Sequence, residues 1–73
     1  MDNKDQEIRR SHLVIQMDNG AAAKKREIEA LDRAIEMLES EPEMRDIISM
    51  LKKARNIAED VRRDYKEEAD LLR

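Results

Sequence analysis

The stretch QMDNGAAAKKR, Gln16–Arg26, holds the only glycine of the chain, and its reading decides the fold. Asn19-Gly20 is a frequent turn dipeptide. Asp18 and Asn19 would also cap a helix opening on GAAAKK. Yet Ala21–Ala23 and the basic trio behind them are strong helix formers. Three readings compete. One helix runs through Gly20, or a short N-terminal helix stops before it, or the N-terminal segment is an extended arm. The last draws on SHLVIQM, Ser11–Met17, where Leu13, Ile15 and Met17 would share one side of a strand.

Hydrophobic register favours the first. Ile28, Leu31, Ile35 and Leu38 recur at alternating steps of three and four. Carried backwards, the steps fall on Lys24, Ala21, Met17 and Val14, crossing Gly20 without a phase break. Glycine inside a helix costs about 1 kcal/mol relative to alanine, which packing can offset. A first helix over about 7–40 is expected, bent or uninterrupted at 18–20, with residues 1–6 frayed.

The next punctuation is LESEPEM, Leu38–Met44. Pro42 is unfavourable within a helix and suited to its first turn, and it biases Glu41 away from helical backbone. A turn over 40–43 and a second helix over about 42–71 follow, and so short a connection makes the helices antiparallel. Downstream, Met44, Ile47, Leu51, Ala54, Ala58, Val61, Tyr65 and Leu72 keep the heptad spacing, interrupted only by Glu68. Folding about the turn pairs Ile35 with Ile47, Leu31 with Leu51, Ile28 with Ala54, Ala21 with Val61 and Met17 with Tyr65.

Composition narrows the rest. Ala, Glu, Lys, Leu and Arg fill more than half of the 73 residues, as in long helices and coiled coils. No cysteine is present, which excludes disulfides and thiolate metal sites. No cofactor is implied. Net charge is −3 with both signs interspersed, a pattern that favours solubility over any partner class. No run approaches membrane-spanning length and the opening residues lack an export signal, so the cytoplasm is the expected location.

Helix 2 carries more apolar groups than one seam uses. Ile48 flanks the seam on one side, Met50, Ile57 and Leu71 on the other, and helix 1 adds Ala34 beside Met50. A stripe this wide fits a helix touching two neighbours. The expectation is an all-α hairpin that dimerises into an antiparallel four-helix bundle, or takes another protein's helix on that stripe. Met17, Met37, Met44 and Met50 read as packing residues, with a Met-rich groove as the alternative.

Chemistry-bearing patterns are sparse. His12 has no companion catalytic group or metal-ligand spacing. Basic spots at Lys24, Lys25 and Arg26, at 52–55, and at Arg62 and Arg63 are candidates for nucleic acid contact, but carboxylates interrupt them and no aromatic platform accompanies them. KREIEALDRAIEML, Lys25–Leu38, resembles the opening helix of AroQ-type chorismate mutases. Those small helical enzymes hold a dicarboxylate among cationic side chains. The resemblance implies a helical bundle, but Arg26 and Arg33 lie off the seam and Pro42 cuts the helix short. The leading functional expectation is a non-enzymatic module that binds itself or another protein, such as an adaptor, chaperone or regulator. A nucleic-acid-associated regulator is the alternative.

Overall fold

The computed structural model describes residues 3–73. Two helices fold into an antiparallel hairpin, with no strand among the described residues. Helix α1 spans Asn3–Leu38 and helix α2 spans Arg45–Leu72, joined through a 3-10 turn at Pro42–Met44. Gly20 lies within α1 and has no positive φ, so the helix runs through it. Helix α1 begins ahead of the expected position; residues 1 and 2 of the segment expected to fray lie outside the described residues.

The bend departs from expectation in a way that propagates along the whole hairpin. Glu41 is extended (φ −103°, ψ 104°), as a residue before proline favours. Pro42 opens a separate 3-10 turn and does not open α2. The Glu41 amide donates to the Leu38 carbonyl at 2.9 Å and the Met44 amide to that of Glu41 at 3.0 Å, so α2 starts only at Arg45. More chain is therefore spent in the bend, and α2 enters displaced and rotated relative to a turn centred on 40–43.

The seam of α1 lies where its pattern places it. Ala21, Ile28 and Ile35 are buried, and Val14, Met17, Lys24, Leu31 and Leu38 are half-buried. On α2 only one half of the expected ladder faces inward. Met44, Leu51, Ala58, Tyr65 and Leu72 are buried or half-buried, but they alternate with Ile48, Arg55, Arg62 and Ala69 in place of Ile47, Ala54, Val61 and Glu68. Of those last four only Val61 is half-buried; the others are exposed. The ring of Tyr65 lies against Gly20, one turn along α1 from Met17.

The rotated seam avoids burying a carboxylate at position 68, which would be costly without a partner, and seats fully buried Ala69 there. It brings in Arg55 and Arg62, whose stems lie along the seam while their heads reach out. Arg55 Nε donates to Asp32 Oδ1 at 2.6 Å and Arg62 to Glu59 at 3.2 Å.

The resulting core is thin. Its buried members are Ala21, Ile28, Ile35, Ala58 and Ala69, three of the five being alanine. The chain exposes 6007 Å², whereas a compact monomer of 8.6 kDa would expose roughly 4,700 Å². Part of that excess is the end of α1: residues 4–13 are all exposed. Arg73, next to the end of α2 at Leu72, pairs with Asp18 at 2.7 Å, and the turns of α1 ahead of this contact are exposed.

Candidate interaction surface

Helix geometry gives the hairpin two dissimilar sides. Positions one step after the seam on each helix face one way, and positions one step before it face the other. On the first side lie Asp18, Lys25 and Asp32 of α1 with Arg45, Lys52, Glu59, Lys66 and Arg73 of α2. Asp18–Arg73 and Asp32–Arg55 clamp the two helices along this edge. Asp18, and then Asp70, raise the Arg73 pKa further above its ordinary value, through hydrogen bonding first and charge second.

The opposite side carries almost no charge over most of its length. Helix α2 presents Ile47, Met50, Ala54, Ile57, Val61 and Leu71, again at steps of three and four apart from the gap before Leu71. Ile47 is 46% exposed, Met50 69%, Ile57 65% and Leu71 86%. Beside them α1 presents Leu13, Gly20, Ala23, Ala30, Ala34 and Met37. Gly20, Ala23 and Ala34 are half-buried, while Met37 is 78% exposed. Glu27 interrupts the α1 strip and is held by Lys24 Nζ at 3.0 Å. Asp64 and Glu68 interrupt the α2 strip toward its open end.

The anticipated contact residues are thus largely gathered, with one exchange. Met50, Ile57, Leu71 and Ala34 share the face. Ile48, anticipated as an exposed flank, is half-buried in the seam, and Ile47 stands exposed in its place. The longer bend and the rotation it imposes on α2 account for both. Sequence reasoning passed over Ile47, Ala54 and Val61 as surface residues because their spacing fits a core seam equally well. Their signal was present as a second complete heptad on one helix.

The basic residues separate. Lys25 and Arg62 line one shallow groove of about 250 Å³ with Asp18, Ala21, Ala22 and Lys66. Lys24 turns to Glu27, Arg63 pairs with Asp60 and Arg26 stands exposed elsewhere, so the candidate phosphate contacts do not form one patch. His12 sits on the extending end of α1 in a concavity with Lys4, Glu7, Ile8, Ser11 and Ile15. Among the described residues no group of three or more His, Asp or Glu side chains is placed to hold a metal ion. No helix among them is long and apolar enough to cross a membrane.

No family model, curated protein or solved structure matches the chain.

Proposed function

We propose that the chain is a non-enzymatic protein-interaction module, an adaptor, chaperone or regulator of a protein target, whose working part is the apolar side of the hairpin. The observation that carries this reading is the outward ladder on α2, with Ile47, Met50, Ile57 and Leu71 between 46% and 86% exposed. A large apolar side chain that could be fully buried forfeits roughly 1.5–3 kcal/mol when left in water. Over four such residues that is of the order of a small domain's whole stability. The thin core points the same way, since small domains commonly need a partner or a staple. Assembly through this face, with itself or with another protein's helix, and a cytoplasmic setting belong to the proposal.

Sedimentation of the wild type and Ile57→Asp tests it. A charge within the contact costs several kcal/mol unless paired, so the variant should lose association while keeping its helix content. If Ile57→Asp alters neither the oligomeric state nor capture of a target, the face is ordinary surface and the proposal fails.

A second reading, contact with nucleic acid, is favoured by the convergence of Lys25, Arg62 and Lys66 on one groove. Binding of that kind should weaken steeply with salt in a mobility-shift titration.

A further inference from the structure

We propose that the occupant of the apolar face is a second copy of this chain, placed so that each α2 lies on the partner's α1 and both bends sit at the same end. This rests on the reading above that the face is an interface, and adds what covers it and how.

The first ground is shape. The middle of the face is divided lengthwise, with Met50, Ile57 and Val61 standing out from α2 beside Ala54 and small residues on α1 (Gly20, Ala23, Ala30, Ala34), while Leu13 and Met37 are large at the two ends of the α1 strip. Two identical faces can meet about a two-fold axis along the hairpin, which lays α2 on α1, or about one across it, which lays α2 on α2 and α1 on α1. Every adjacent pair is antiparallel in both. Only the first sets Ile57 and Val61 against the small strip of α1. At the register fixed by Tyr65 on Gly20 and Arg55 on Asp32, it brings Ile57 of the second copy level with Ala30, and Met50 level with Met37, a turn from Ala34. The second arrangement stacks ridge on ridge along α2, and leaves the small strips of α1 to approach only as closely as that stack allows.

The second ground is charge, and it is independent of shape. The edge bordering the face away from the seam carries His12, Asn19, Arg26 and Arg33 on α1, with no acid. The matching edge on α2 carries Asp46, Lys53, Asp60 and Glu67. All are exposed, and Asp60 also holds Arg63. Laying α2 on α1 sets a basic edge on a net acidic one and brings Arg26 level with Asp60, while Arg33 comes level with Lys53 and Asn19 with Glu67. Laying like on like gathers Arg26 and Arg33 of both copies along one edge and the acids of α2 along the other. From Ile47 to Leu71 the face runs roughly 36 Å and is two helices wide, a footprint of roughly 700 Å². That approaches the ~800 Å² per partner of a standard interface.

Because the chain has no cysteine, introduced thiols report unambiguously. Ser40→Cys, exposed in the bend, carries a spin label for measuring the distance between copies in the otherwise intact protein. Bends at one end give a separation below about 25 Å, two to three interhelical spacings. Bends at opposite ends give about 40 Å or more, the length of α2. An equal mixture of Ala30→Cys and Ile57→Cys proteins, mildly oxidised, should form the mixed disulfide in preference to either like pair. A short distance together with the mixed disulfide supports the inference. A long distance, or an Ile57–Ile57 disulfide as the main product, overturns the arrangement while leaving the face an interface. No intermolecular distance at tens of micromolar overturns the second copy as occupant. Loss of the short distance in Ser40→Cys carrying Ile57→Asp ties it to this face, and its persistence there refutes the use of this face.

Discussion

Tyr65 of α2 lays its ring on Gly20 of α1, so closely that a Cβ on the glycine would stand 2.9–3.0 Å from the ring atoms. The glycine is helical, so its service to the fold is not a turn. It leaves a gap in the surface of α1 that takes the chain's single aromatic side chain. Helix propensity alone argues for replacing it: Gly20→Ala in an exposed helix would be worth about 1 kcal/mol. Packing opposes, since the added methyl would meet the ring at less than contact distance.

The two effects separate in a double-mutant cycle. In the wild type, Gly20→Ala should be neutral or destabilising. In a Tyr65→Ala background, where the ring atoms nearest the methyl are gone, it should stabilise by up to about 1 kcal/mol. Denaturant midpoints followed by circular dichroism at one fixed protein concentration measure both. A full helix-propensity gain in the wild type would mean that the ring does not rest on Gly20.

How much of this was legible in the sequence differs between the helices. On α1 the seam positions from Val14 to Leu38 are apolar except Lys24, and no neighbouring set rivals them, so pattern and packing agree. On α2 two heptads share Met44, Leu51, Ala58, Tyr65 and Leu72. They differ in whether Ile47, Ala54, Val61 and Glu68 or Ile48, Arg55, Arg62 and Ala69 complete them. Hydrophobicity favours the first set. The bend at Pro42 decides for the second, because its backbone path fixes the rotation with which α2 enters, and hydrophobicity does not encode that path. The more apolar set is left outside for that reason, and the candidate surface consists of residues that read as core.

Ala69 and Glu68 discriminate between these two seams. Ala69 is fully buried, so Ala69→Leu should overpack it and cost about 1–3 kcal/mol. Glu68 is exposed on the apolar side, and Glu68→Leu should leave the thermal midpoint unchanged or raised. The reverse order of the two midpoints would restore the seam through position 68.

Arg55 occupies an inward heptad position with its head at Asp32. Both side chains are substantially exposed, at 36% and 49%, and an exposed pair of this kind contributes about 0.2–1 kcal/mol. A leucine there could bury apolar surface worth about 1.5 kcal/mol or more. Arg55→Leu should therefore stabilise the hairpin, by about 1 kcal/mol, and stability should lose part of its salt dependence. Destabilisation would show that the ion pair outweighs burial at this site.

The end of α1 offers the last test. Beyond the level where Val14 and Leu72 line a common concavity, residues 4–13 are exposed and have no second helix beside them. Isolated helices shorter than ~12–15 residues are marginal in water, so these turns persist as a continuation of a helix nucleated further along. Their amides should exchange with little protection, well before those of Ile28 and Ala58, which open only with the hairpin. Removing residues 1–10 should lower helix content but leave the thermal midpoint nearly unchanged, because residues 4–10 are all exposed. Ile8 is 56% exposed and Ile15 57% on this end, so a partner covering them would reverse both results. Strong protection at Ile8 in the full chain, together with a large loss of stability on truncation, would show that the extending turns are packed in solution.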